Sequence, residues 1–258
     1  MDWEKLKEEK ETKEEVKQDI SFKSLDEAEA KRGLKIGIYG GFSTGKTHFA
    51  LTCPEPIYII DTEMGAAPLA HQFKGKDVKI LDIAEKDGSL SYEKYANAVE
   101  FLTQQENIGT IVVDSITDIW DFSQEYGKVK VFKIKPEQRL AQQWDWGVIN
   151  KLYLKPLLSL LNINCNLILT AREQEKYSGA GNPSGVFNPH WMKKTGYWVD
   201  FVLYNTKKID KAGNISFITS VDKSRPLKDL MNKKFENVNF EIFNKKINEL
   251  KGGNDDAD

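Results

Sequence analysis

The residues Gly40-Gly41-Phe42-Ser43-Thr44-Gly45-Lys46-Thr47 match the pattern G-x-x-x-x-G-K-[ST]. Glycines there let successive backbone N–H groups curl around an anion, and a helix starting at that point adds positive potential. The spacing suits phosphate. Gly40, Gly41, Phe42, Ser43, Thr44, Gly45 and His48 are expected to line the anion, with Lys46 reaching the β- and γ-phosphates. The Thr47 hydroxyl is expected to ligate Mg²⁺. A nucleoside triphosphate with its magnesium is the ligand that calls for this set.

Two acidic strand ends add to it. Ile57-Tyr58-Ile59-Ile60 delivers Asp61-Thr62-Glu63-Met64-Gly65, and Thr110-Ile111-Val112-Val113 runs into Asp114-Ser115. Ligands of open α/β sheets bind outside the carboxyl ends of the strands, so the Asp61–Gly65 turn should face the nucleotide. An aspartate closing an apolar strand downstream of a P-loop is the Walker B arrangement. Asp114 is expected to accept a hydrogen bond from a Mg²⁺-bound water or from Thr47.

The elements that must position these groups follow from the hydrophobic pattern. Leu34-Lys35-Ile36-Gly37-Ile38-Tyr39 reads as the strand before the P-loop, and His48-Phe49-Ala50-Leu51 opens the helix after it. Pro54 and Pro56 end that helix. Val78 to Ile83 is a third strand, and Ser91 caps a helix with Tyr92, Tyr95, Ala96, Val99 and Leu102 on its core face. From Asp121 to Trp146 the pattern is irregular, and the alternation through Lys128 to Lys135 changes parity at Phe132, which suggests a bulge or a loop. Ile149 to Leu161 is helical, with Pro156 expected to kink it. Asn166 to Thr170 is a buried strand, and Tyr177 to Gly196 reads as one long loop. Its Gly179, Gly181 and Gly185 do not make a dinucleotide fingerprint, because the last gap is too long and no helix follows. Asp200 to Asn205 and Ile215 to Val221 are two further strands joined by a turn.

Composition agrees with an ordered α/β protein. A chain of 258 residues with 40% hydrophobic and 11% aromatic content has enough apolar surface for one large core, which excludes a disordered chain. The net charge of -2 points to no partner, because the charges are unevenly placed. Cys53 and Cys165 lack metal-ligand spacing and read as buried thiols in a reducing compartment. No apolar run approaches the ~20 residues of a membrane span and no secretory signal opens the chain, so a soluble, cytoplasmic protein is expected. Three segments are expected: a charged arm over 1–32, helical or partly disordered, with Ile20 and Phe22 able to anchor it on a neighbouring subunit; a core over 33–251; and an acidic disordered tail over 252–258.

Taken in order, these elements resemble the RecA-like P-loop ATPase core from about Leu34 to Arg225. That resemblance implies a central, mostly parallel sheet flanked by helices, with a small antiparallel C-terminal extension. It implies ATP and Mg²⁺ as cofactors and ATP hydrolysis as the activity. Ile60-Asp61-Thr62-Glu63 is similar to the strand end carrying the catalytic glutamate, so Glu63 would polarise the attacking water. Lys223-Ser224-Arg225 resembles the K-x-R finger that completes a neighbour's ATP site, which implies a homo-oligomer, ring or filament. The γ-phosphate sensor falls in Thr170-Ala171-Arg172-Glu173-Gln174, a departure from the family's Asn-Gln pair, with Thr170, Arg172 and Gln174 as candidates.

The irregular stretches fall where RecA-like proteins place their DNA-binding loops. Lys128, Lys130, Lys133 and Lys135 in the first, and Trp191, Lys193 and Lys194 in the second, are candidates for single-stranded DNA, lysines tracking phosphates and the aromatic ring stacking on bases. The chain is expected to lack the additional domains of full-length recombinases, which makes it more similar to the minimal RecA-core ATPases of phages and archaeal viruses. Those are associated with single-strand annealing and recombination, and the analogy implies a prokaryotic cell or a virus-infected host. A ring helicase or translocase motor, and a nucleotide-switched regulatory protein with little turnover, are the competing expectations.

Overall fold

The computed structural model describes residues 22–30, 32–85, 91–177, 179 and 181–252. Residues 1–21, with Ile20, and the tail from 253 lie outside the described residues. Contacts divide the chain into residues 1–32 and 33–258. In the first unit, helix α1 (Leu25–Ala30) begins with a capping box: Glu27 N–H donates to Ser24 Oγ (3.2 Å), and Ser24 N–H donates to Glu27 Oε2 (2.9 Å).

The second unit is built on one sheet. Its strands are β1 (Lys35–Gly40), β2 (Ile57–Asp61), β3 (Val78–Asp82), β4 (Thr110–Asp114), β5 (Asn166–Tyr177), β6 (Pro183–Pro189), β7 (Phe201–Ile209), β8 (Ile215–Ser224) and β9 (Lys234–Glu236). The order is β3-β2-β4-β5-β1-β7-β8-β9, with β6 paired to β5. From β3 through β7 the neighbours run parallel, whereas β8 and β9 are antiparallel additions. The expected α/β architecture is therefore present. Because β1, β2, β4 and β5 are parallel, their carboxyl ends share one rim.

Helices cover both faces. The β-branched runs of the central strands are buried on both sides, as parallel strands require. One face packs under α3 (Tyr92–Thr103), α4 (Ile116–Tyr126) and α5 (Asp145–Asn162) through Tyr95, Val99, Ile119, Tyr153 and Leu157. The other packs under α2 (Lys46–Leu51) and α7 (Phe240–Gly252) through Phe49, Phe243 and Ile247. A short helix, α6 (Thr195–Trp198), precedes β7. Ser91 caps α3 by accepting from Lys94 N–H (3.0 Å). Pro156 lies within α5, where it cannot donate to the carbonyl of Leu152; the Tyr92 hydroxyl donates to that oxygen instead (2.7 Å).

Three stretches differ from expectation. Where the sequence reads as irregular from Asp121, α4 runs on to Tyr126 and continues as a π-turn over Gly127–Val131. Its inward positions include Thr117, Asp118 and Ser123, buried for hydrogen bonding, which breaks the apolar period. The long loop from Tyr177 is instead a hairpin: β5 continues past the sheet to Tyr177, and β6 folds back on it, with Gly181 and Gly185 at positive φ (78° and 68°). Its polar sequence reflects a ribbon that projects into solvent.

Trp191 is the third. Its indole lies so close under β1 that a Cβ on Gly37 would stand 2.5 Å from Cη2. The ring is packed against the core and is not available to stack on a base. Gly37→Ala is expected to destabilise the domain by ~1–3 kcal/mol through overpacking, read as a lowered urea midpoint with unchanged slope. No change in midpoint would mean that the ring is free to move.

Candidate functional site

The P-loop leaves β1 at Gly40, where a Cβ would stand 2.1 Å from the carbonyl oxygen of Asn205 on β7. Gly45, at φ +84°, turns the chain into α2. The Asn205 amide donates to Thr44 O (3.2 Å), so β7 braces the loop from one side. Phe42 is 84% exposed at the tip, with the Lys207 ammonium 4.8 Å from its ring centroid. His48 stands exposed on α2, its ring 5.1 Å from that of Phe73.

Lys46 lies within this loop. Its ammonium donates to Gly40 O (3.0 Å) and Gly41 O (2.7 Å). Burial pushes its pKa down, and the carboxylates of Glu63, Asp114 and Glu173 pull it back up. A cation so enclosed is partly stripped of water and strongly attracts a phosphate anion.

The expected metal pair is in contact. Thr47 Oγ1 donates to Asp114 Oδ2 (2.7 Å), and the Thr170 hydroxyl donates to the other oxygen of the same carboxylate. Burial raises the Asp114 pKa, against the pull of these two hydroxyls. A proton therefore competes with Mg²⁺ there at higher pH than at an ordinary aspartate, and metal affinity is expected to weaken on mild acidification. A Mg²⁺ titration of the nucleotide complex across pH checks this; a pH-independent constant would count against Asp114 as the metal's partner. Among the described residues no three His, Cys, Asp or Glu side chains form a metal cage. Mg²⁺ needs none, because one or two protein oxygens, phosphates and waters complete its octahedron. A nucleoside triphosphate and Mg²⁺ thus suit the donor set, with Lys46 and the loop holding phosphate and Thr47 and Asp114 serving the metal, which would neutralise charge on the transferring group.

The Asp61–Gly65 turn sits beside this pair. A Cβ on Gly65 would stand 3.9 Å from Thr47 Oγ1. Asp61 itself is buried and shapes the turn, accepting from the N–H groups of Glu63, Gly65 and Ala66. That leaves Glu63 as the outward carboxylate. It accepts from Arg172 Nε (2.9 Å), and Arg172 Nη2 lies 2.9 Å from its Oε1. Of the sensor candidates, Thr170 is committed to Asp114 and Gln174 stands exposed on the β5–β6 hairpin. Only Arg172 reaches Glu63.

Lys223 and Arg225 do not join this site. Antiparallel pairing brings Ser224 opposite Phe201, which is level with Ile36, some four residues or ~13 Å down β1 from Gly40. Lys223 Nζ donates to the carbonyls of Gly196 and Val199 (both 2.6 Å), fastening the end of α6, and burial lowers its pKa. It is a structural lysine in this chain and not a catalytic group of its own P-loop. Arg225 is half exposed, donates to Tyr197 O and lies 4.0 Å from Asp200.

The basic candidates divide. Lys128 donates to Pro136 O (2.7 Å), which ties down the loop after α4, while Lys130, Lys133 and Lys135 are exposed. Lys193 and Lys194 are exposed beside the packed Trp191. Sequence reasoning missed Asp118 and Glu173. Glu173 leaves β5 beside the P-loop, 3.0 Å from where a Cβ on Gly41 would stand, and accepts from the Tyr204 hydroxyl (3.0 Å). Its place beside Arg172, just past the strand expected to end at Thr170, was the available signal.

A P-loop at the rim of a parallel sheet, with a hydroxyl–carboxylate pair and an outward glutamate beside it, defines a P-loop ATPase-like domain. The AAA domain family matches residues 32–229, and the chain belongs to that family. No curated protein matches the chain. No helix among the described residues is long and apolar enough to cross a membrane.

Proposed function

We propose that the protein is a Mg²⁺-dependent ATPase that assembles through ATP sites shared between subunits and engages single-stranded DNA in annealing or recombination. One observation carries the reading. Lys46, the Thr47–Asp114 pair and Glu63 converge at the P-loop, while the half-exposed Arg225 stands at the other end of the same sheet. An arginine so placed cannot serve its own site. A head-to-tail neighbour offers it one, and such a finger acting in trans can be worth ~10³-fold or more in rate.

Mixing two inactive chains tests the assembly. Arg225→Ala retains an intact P-loop and Lys46→Ala an intact finger, so the mixture should recover part of the ATPase activity that each lacks alone. No recovery at any ratio counts against sharing. For DNA, the exposed Lys130, Lys133, Lys135, Lys193 and Lys194 are the contacts offered. Single-strand affinity measured with and without ATP should fall steeply with salt, as counterion release requires. Absence of binding in every nucleotide state would favour the regulatory reading, and unwinding without annealing would favour the motor.

A further inference from the structure

The Glu63 carboxylate is held by a chain of contacts. Arg172 spans two acids: its Nε and Nη2 meet Glu63 Oε1, and Nη2 also lies 2.9 Å from Asp118 Oδ1 and donates to Oδ2 (3.1 Å). Asp118 is buried in the first turn of α4 and is itself fixed. The Thr62 hydroxyl donates to its Oδ2 (2.6 Å) and the Ser115 hydroxyl does so at 3.1 Å. Thr62 in turn accepts from Ser115 N–H (2.7 Å), and Thr62 N–H donates to Asp114 O (2.7 Å). The Arg172 backbone is bracketed as well: its N–H donates to Thr117 Oγ1 (3.0 Å), and its carbonyl accepts from His190 N–H (2.8 Å).

We propose that Asp118 and Arg172 form a positioning pair, in which Asp118 fixes the Arg172 guanidinium and Arg172 fixes the Glu63 carboxylate at the mouth of the triphosphate site. The proposal rests on the reading of Glu63 as the residue that polarises the attacking water. A glutamate in a turn has several rotamers, and a misplacement of ~1 Å in a reacting group can cost ~10²-fold in rate. The planar guanidinium fork can meet two carboxylates at once, which a lysine ammonium on its flexible stem does not reproduce. Arg172 then acts through Glu63, unlike a sensor that touches the γ-phosphate.

Steady-state ATPase kinetics on the full chain test it, using Asp118→Asn, Arg172→Ala, Arg172→Lys, Glu63→Gln and the Glu63→Gln/Asp118→Asn double variant. Asp118→Asn keeps the shape of a buried side chain, and Arg172 is half exposed, so binding of a fluorescent ATP analogue serves to show that each variant is folded. Asp118→Asn and Arg172→Ala should lower kcat ~10-fold or more with KM nearly unchanged, and Arg172→Lys should recover little. The double variant should be no slower than Glu63→Gln alone, because both changes disable one carboxylate.

Unchanged kcat in both Asp118→Asn and Arg172→Ala would overturn the pair, as would losses that multiply in the double variant. A weakened affinity for the triphosphate at unchanged kcat in Arg172→Ala would also overturn it, in favour of a sensor. Wild-type turnover in Glu63→Gln would instead remove the catalytic reading beneath it.

Discussion

Glu63→Gln is expected to keep Mg²⁺–ATP binding and to lower turnover by ~10²–10⁴-fold, the range for losing a positioned general base. The substitution preserves volume and leaves Arg172 an oxygen to donate to, so the local geometry should survive. What disappears is the negative charge that would draw a proton from the attacking water. Binding survives because Lys46 and the loop backbone hold the phosphates and Thr47 and Asp114 serve the metal, and Glu63 is not among them. Single-turnover hydrolysis alongside the affinity for a fluorescent ATP analogue separates the two effects. A turnover equal to wild type would place the water elsewhere, and Glu173, which faces Gly41 from β5, would be the next carboxylate to test.

That alternative shows where the sequence was transparent and where it was opaque. The P-loop, the strands at Ile57, Thr110 and Asn166, and the contact between Thr47 and Asp114 were legible. In each case a short local pattern carries the information, and the order of motifs sets the long-range contact. Asp118 and the Arg172–Glu63 ion pair were opaque. Arg172 and Glu63 lie 109 residues apart, and Asp118 sits on a helix whose inward face is partly polar. A polar inward residue looks like a solvent-facing one until its partners are known, which hid both α4 and its role. The β5–β6 hairpin was missed for a related reason: its half-buried face carries Glu173 and Glu175 as well as Phe187, so no hydrophobic period marks it. Trp191 erred in the other direction. A tryptophan before two lysines suggests a stacking surface, and only the absent side chain at Gly37 shows that space was left for its ring.

Lys46→Ala is expected to abolish hydrolysis and to weaken Mg²⁺–ATP binding by ~10²-fold or more. Hydrogen bonds to charged groups contribute ~1.5–3 kcal/mol each, and Lys46 is placed to make more than one to the phosphates. The free chain should tolerate the change. Gly40 O and Gly41 O lose a donor, Gly40 at a buried position and Gly41 at a half-buried one that water can reach, but the apolar contacts of β1 and α2 stay in place. Relief from holding a partly desolvated cation, whose pKa burial lowers, works in the same direction. Thermal unfolding with and without nucleotide therefore reads the two terms separately. At a ligand concentration ~100 times its Kd, the wild-type chain gains ~2.7 kcal/mol from binding, a shift of several degrees, whereas the variant should gain almost none. A Lys46→Ala chain that unfolds at the wild-type temperature without nucleotide and still rises with Mg²⁺–ATP would mean that the triphosphate binds outside the P-loop.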